Sequence, residues 1–284
     1  MFELAARLIA TFYAWTHNYA LAIGLVAVVV MLLITPLTLK STKGMLEMQR
    51  LQPEMKKLQN QYKGDRQMLN QEMMKLYSEH KVNPLASCLP LMAQMPVFII
   101  MFRVLHGLTY EPVLGKGFVP KYIEHGSDLY KALEGSTKMM SFGLNLAISP
   151  QKAMKADFAS GIWYALLVVI LGGLFLVQQR MVASRTPTNA SMSPTQAKIM
   201  QYMPVAFALF QVFLPTSLVV YYMTQTIVRI LQQGYITRRF YGEDGLGRQA
   251  QAASAKAREL KDDDAKPSKQ KNEQSQAPAP IHPA

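Results

Sequence analysis

Apolar residues gather in blocks along this chain instead of alternating through it. The blocks cover 20–39, 85–108, 161–177, 199–213 and 218–231. The first three approach or exceed the ~20 residues a helix needs to cross ~30 Å of hydrocarbon. The last two sit near the lower length limit and are split by Leu214-Pro215-Thr216-Ser217. This pattern predicts an all-α polytopic membrane protein with spans at about 20–39, 85–108, 160–180, 199–214 and 216–233. One long span across 199–233 is the alternative.

The segments between the blocks carry their own periodicities. Across 1–17 and the residue that follows, Glu3, Arg7, Thr11 and Asn18 fall on one stripe, with Leu4, Leu8, Ile9, Phe12 and Trp15 around the rest. Such a helix, with an aromatic end, is expected to lie in the bilayer surface; the alternative is an N-terminal extension of the first span. In 41–82, Met48, Leu51, Met55, Leu58 and Tyr62 step by 3 and 4, and Leu69, Met73, Leu76 and His80 do so again after Lys63-Gly64-Asp65. Two antiparallel helices around a glycine turn fit this narrow, Met-rich stripe. Pro53 should kink the first helix or start a new one. Asn83-Pro84 reads as an N-cap followed by proline at the first helical position. Residues 109–157 form a mixed loop whose apolar patch, 139–148, is too short to span and is expected at the interface. The tail, 241–284, lacks apolar periodicity and is expected to be disordered.

Charge sets the orientation. Residues 40–81 hold nine Lys/Arg against five acids, 180–198 hold three against none, and 229–284 hold ten against seven. Five spans put all three segments on one face, which the positive-inside rule makes cytoplasmic. The expected topology is therefore N-terminus outside and C-terminus cytoplasmic, in a plasma membrane. The formal net charge of +12 belongs to that asymmetry before it suggests nucleic acid, and no DNA partner is expected. The basic tail is a candidate contact for ribosomal RNA or anionic lipid, with a merely solvated tail as the other reading. The single cysteine, Cys88, excludes an internal disulfide.

Catalytic chemistry finds no footing. The histidines His17, His80, His106, His125 and His282 show no zinc spacing. No Walker motif or nucleotide glycine fingerprint occurs, so neither enzyme activity nor a cofactor or metal is expected. The spans hold no Asp or Glu, which argues against a proton-coupled transporter. They do hold neutral polar residues, among them Thr35, Gln94, Gln178, Gln211 and Gln225. Each alone is accounted for by interhelical hydrogen bonding, worth roughly 0.6–2 kcal/mol; as a set they point to a water-filled groove. Among formal charges in the apolar blocks this reading singles out Arg103, within 91–105. A charge at bilayer centre costs roughly 2.5–3.5 kcal/mol on insertion scales, so Arg103 either faces a groove or snorkels to the headgroups.

Four stretches carry a family resemblance. They are Met48-Gln-Arg-Leu-Gln-Pro-Glu-Met-Lys-Lys-Leu58; Asp65-Arg-Gln67 with Gln71-Glu-Met-Met-Lys-Leu-Tyr77; Asn83-Pro-Leu-Ala-Ser-Cys-Leu-Pro-Leu-Met-Ala-Gln-Met-Pro-Val-Phe98; and Tyr202-Met-Pro204 with Leu214-Pro-Thr-Ser-Leu-Val-Val-Tyr-Tyr222 and Gln232-Gln-Gly-Tyr-Ile-Thr237. In this order they resemble the YidC/Oxa1/Alb3 family of membrane protein insertases, over about 18–240, in its shorter, Gram-positive-like form. The resemblance implies five transmembrane helices around a hydrophilic groove, with a cytoplasmic hairpin that receives nascent membrane proteins and no nucleotide hydrolysis. Groove residues are then expected at Arg103, Gln94, Thr35, Gln178, Gln211, Gln225 and Tyr222, and client capture at Met48, Met55, Met73 and Met74. The lipid bilayer is an expected partner, and the ribosome and Sec translocon are candidates. One departure stands out: where the family carries its groove arginine, this chain has Met31. Arg103 is the expected substitute. A small channel or transporter, or an accessory subunit of the Sec translocon, are the competing functions.

Overall fold

The computed structural model describes residues 2–83, 89–113, 116–183, 202–203 and 206–240, with two short helical pieces at 252–253 and 255–256. The first helix, α1 (Phe2–Thr16), ends where His17 takes a left-handed φ of 49°. Asn18 then caps α2 (Tyr19–Arg50), its side chain accepting from the Leu21 amide. The break makes α1 a separate element and rules out a simple extension of the first span. It is more enclosed than a surface helix: Ala6, Ile9 and Tyr13 are buried, and the helix packs on α2, α5 (Leu89–Leu108) and α6 (Asp128–Leu133). Arg7 pairs across the surface with Glu124, at 2.8 Å.

Helix α2 runs far beyond its apolar block, carrying the chain straight from the apolar bundle into the polar hairpin. It stops at Leu51, and Pro53 opens α3 (Gln52–Gln61) in its first turn, where a missing N–H costs nothing. Gly64, at φ 107°, makes the turn into α4 (Arg66–Glu79), which Asp65 caps through the amides of Gln67 and Met68. A small core of Met48, Leu51, Met55, Met73, Leu76, Tyr77 and Val82 closes this hairpin, apart from the main core.

The main core is built by α1, α2, α5 (Leu89–Leu108), α8 (Phe158–Ala183) and α9 (Thr216–Phe240), joined at one end by a cap. The cap comprises α6 (Asp128–Leu133), a two-stranded antiparallel ribbon β1 (Met140–Ser141) and β2 (Leu144–Asn145), and α7 (Pro150–Ala156). The apolar patch 139–148 contains this ribbon and buries Met139 and Leu146. Its backbone docks on the start of α9: Thr216 N–H donates to Ile148 O and Ser217 N–H to Leu146 O, both at 2.9 Å. Residues 206–210 are helical and lead through a 3-10 turn, Gln211–Phe213, into α9. Most of the 181–198 loop and nearly all of the tail lie outside the described residues.

Helices α2 and α8 are long and apolar enough to cross a membrane, and α5 contributes the shorter apolar stretch Met92–Leu108. Their outward faces suit lipid: Leu32, Leu33, Trp163 and Val169 are all more than half exposed. Helix α9 packs along α2 and α8. The α2–α9 approach is close at Gly24, where a Cβ would come within 3.3 Å of Thr224 Oγ1, so a small residue lets the backbones approach.

Candidate functional site

Most of the candidate site comes from one face of α9. Ser217, Tyr221, Gln225, Arg229 and Gln232 follow one another at intervals of three or four residues, so they share a stripe. The stripe meets α5 and α2. Arg229 Nη2 donates to Gln94 Oε1 at 2.8 Å. Gln94 Nε2 donates to Gln225 Oε1 at 3.2 Å, and Gln225 Nε2 donates back to Gln94 Oε1 at 3.4 Å. On the α2 side, Arg229 Nη2 lies 4.0 Å from the sulfur of Met31. Near the other end, Gln232 Nε2 donates to Thr35 Oγ1, whose own hydroxyl donates to Met31 O at 2.9 Å. Three helices thus contribute a connected set of amides, a hydroxyl and one guanidinium.

No carboxylate lies within ion-pair distance of Arg229 among the described residues. A guanidinium offers five N–H donors in a rigid fork. Here the protein engages Nη2 alone among the described residues. Tyr221 and Tyr222, both buried, lie close enough to interact electrostatically with it. The site can therefore receive an acceptor from outside: a carboxylate, a backbone carbonyl or water. Tyr222 also anchors an aromatic cluster, its ring 5.5 Å from Phe207 and 6.2 Å from Phe98.

The structure brings Gln94 and Gln225 together, links Thr35 to the same stripe through Gln232, and buries Tyr222 beside them. Gln211 is fully buried in the 3-10 turn before α9. Gln178 is half-buried on α8, and no hydrogen bond joins it to this set among the described residues. Arg103 is elsewhere. It is exposed on α5, its guanidinium 5.9 Å from the ring centroid of Phe2. Helical geometry explains the separation: nine residues at 3.6 per turn leave Arg103 about half a turn round from Gln94. The hairpin methionines also divide. Met48, Met55 and Met73 are buried in the hairpin's own core, and Met74 alone of the four is exposed, at 61%.

Sequence reading missed Arg229, Tyr221 and Gln232 as site residues. Arg229 lies near the polar end of its apolar block, where a charge reads as the border of a span. The signal that finds it is the four-residue step from Gln225, which fixes it on the face of a buried amide. Met31 itself is buried, and Arg229 reaches it from the facing helix, α9.

A helical bundle with membrane-crossing elements and a polar cluster in its interior defines a class: α-helical membrane proteins with a polar interior site. The chain belongs to the 60Kd inner membrane protein family, a bacterial membrane protein family whose model it matches over residues 11–243. It is similar to proteins named membrane protein insertase YidC. That of Geotalea daltonii is 36% identical over 232 residues, covering 82% of this chain and 36% of the relative. That of Geotalea uraniireducens is 37% identical over 232 residues, with the same shares. That of Geobacter sulfurreducens is 34% identical over 227 residues, covering 80% of this chain and 35% of the relative. The chain thus spans about a third of the length of these curated relatives.

Proposed function

We propose that this chain is a membrane protein insertase and chaperone for newly made integral membrane proteins. The carrying observation is Arg229: a half-buried guanidinium between α2, α5 and α9, held by Gln94, with no carboxylate partner among the described residues. Leaving a charge short of partners inside a protein is costly, and a client that brings acceptors offsets that cost. The polar flank of a nascent segment would be received among Gln94, Gln225, Arg229 and Tyr222 while its apolar part moves into lipid. Solvating the flank at depth lowers the barrier to crossing, because unpartnered polar groups are expensive in hydrocarbon. Nucleotide hydrolysis has no place in this scheme.

In this reading five spans enclose the groove, with the hairpin and tail cytoplasmic and the cap outside. The end of the cluster near Gln232 and Thr35 faces the hairpin. The hairpin's exposed Met74 and Met68 offer flexible apolar contacts suited to varied clients. Three methionines first expected in that role form its core instead. The lipid bilayer is the second partner, and the ribosome and Sec translocon are further candidates. Reconstitution tests the proposal: purified full chain in Sec-free liposomes should insert a short single-span substrate with an acidic leading flank. Protein-free liposomes should not. Equal insertion in both sinks the insertase reading, and solute flux without insertion would favour a channel.

A further inference from the structure

The exposed face of α5 changes character along its length. Met92, Met95 and Ile99 all lie open on it and present hydrocarbon. Arg103 and His106 follow on the same stripe, at steps of four and three, and both are exposed. Arg103 therefore sits where a lipid-facing surface turns polar. The cluster around Arg229 makes no use of it.

The chain builds a specific setting round this residue. Gly107, one turn further along α5, is its hub. The Gly107 carbonyl accepts from the Lys121 N–H at 2.9 Å and from the Tyr110 N–H at 3.3 Å. Its missing side chain makes room for the ring of Tyr122, which a Cβ would meet at 2.8 Å. Tyr122 holds a left-handed φ of 70°, a strained conformation for a bulky residue. Its ring lies 5.7 Å from that of Phe2. The Arg103 guanidinium lies over Phe2, 5.9 Å from the ring centroid, and the Lys121 ammonium lies over Tyr110, at 3.4 Å. Each cation thus rests on an aromatic face. Neither has a carboxylate within ion-pair distance among the described residues, although Glu3 adjoins Phe2 in the chain. A guanidinium stacked on a ring keeps its N–H fork available, and that fork matches the oxygens of a phosphate.

We propose that Arg103 and Lys121, set on Phe2 and Tyr110, form a headgroup site for one anionic phospholipid of the leaflet at the cap end. Arg103 binds the phosphodiester, Lys121 supplies the second positive charge, and the acyl chains run down over Ile99, Met95 and Met92. Gly107, which anchors Lys121, lies about 6 Å along α5 from Arg103, close to the roughly 5–7 Å depth of one headgroup layer. Aromatic rings gather at that depth. The site differs from snorkelling in what it selects. A snorkelling arginine takes whichever phosphate is nearest, and a zwitterionic lipid satisfies it. Two cations facing one phosphate favour a headgroup that carries no ammonium of its own, so phosphatidylglycerol is preferred over phosphatidylcholine. The site rests on α1, α5 and the loop that follows α5, and not on the insertase reading.

Photocrosslinking of the purified full chain in phosphatidylcholine nanodiscs tests it. Trace phosphatidylglycerol and phosphatidylcholine probes, each with a diazirine near the top of one acyl chain, are compared, and adducts are mapped by mass spectrometry. On 99–110 and 119–122 the phosphatidylglycerol probe should give at least fivefold more adduct. Equal yields from the two probes overturn the proposal, because they show a contact with lipid in general. Arg103→Ala should bring the two yields within twofold, Lys121→Ala should lower the excess at least twofold, and Arg103→Lys should keep part of it. An undiminished excess in Arg103→Ala also overturns the proposal. Soluble glycerol 3-phosphate, added at the concentration of the probe, should not displace it; displacement would make this a site for free phosphate and overturn the lipid assignment.

Discussion

Two arginines in apolar surroundings have opposite fates. Arg229 is half-buried and hydrogen-bonded to Gln94, whereas Arg103 is exposed and rests on the ring of Phe2. A hydrogen bond to a charged group is worth about 1.5–3 kcal/mol, or roughly ten- to a hundredfold. Arg229→Ala should therefore lower the insertion rate in liposomes at least about tenfold by that measure, and Arg229→Lys should restore part of it. Arg103→Ala should leave the rate within about twofold and lower stability by about 0.5–1 kcal/mol, the value of an exposed cation–π contact. The opposite ranking of the two variants would return the groove charge to Arg103. The sequence made the amides legible because Gln in an apolar block is conspicuous. It concealed the charge for a physical reason: depth along a helix depends on where that helix begins relative to the bilayer, which spacing does not set. Direction round the helix is set by spacing. Gln94 to Arg103 is half a turn, and Gln225 to Arg229 is close to a full one.

Elements here are delimited by local chemistry that the chain displays openly. Asn18, Asp65, Ser127 and Ser149 cap four helices with their own side chains, and Pro53 begins another. Less legible was the division of labour among hairpin methionines, since a stripe at helical spacing marks a core and a capture surface alike. Burial separates them. Met55→Ala should cost about 2–5 kcal/mol, as other buried large-to-small changes do. Amide exchange in α3 and α4 should then quicken by about thirtyfold or more. Met74→Ser should leave exchange unchanged and weaken crosslinking of a client to the hairpin; unchanged crosslinking would remove Met74 from capture. At the start of α8, the Asp157 carboxylate accepts from the Ser160 and Ala159 amides, at 3.0 and 3.3 Å. The Ser160 bonds, chiefly, hold it below the usual carboxylate range. Its folded value is depressed, so its contribution is present above the ordinary carboxylate range and is lost as pH falls through the folded value. The Tm gap between wild type and Asp157→Ala should be widest near neutrality and close in acid. A gap independent of pH would mean the carboxylate's charge is not what caps α8.

At the scale of the whole molecule, one body of apolar helices separates two polar ends with different charge balance. The hairpin end, 40–81, carries nine Lys/Arg against five acids, while the loop holding the cap, 109–157, carries six Lys against five acids. Cationic segments resist translocation, so the proposed topology keeps the more basic end in the cytoplasm. The cap is fastened to the bundle by backbone bonds, with Thr216 and Ser217 donating to Ile148 and Leu146, so it cannot reach the opposite face without dismantling the start of α9. In that proposal orientation is a property of the whole fold, set by the hairpin's charge and transmitted through α2, which runs without interruption from bundle to hairpin. Single cysteines in a Cys88→Ser background read this out. With a membrane-impermeant maleimide on intact spheroplasts, Lys138→Cys in the cap loop should label. Lys63→Cys at the hairpin turn should label only after lysis. Removing the charge bias tests the cause: neutralising Lys56, Lys57, Lys63 and Arg66 together should let a fraction of molecules insert with the hairpin outside, where Lys63→Cys in that background becomes reactive before lysis. An unchanged pattern in the neutralised hairpin would mean that the remaining basic residues or the apolar bundle, and not the hairpin charge, orient the chain.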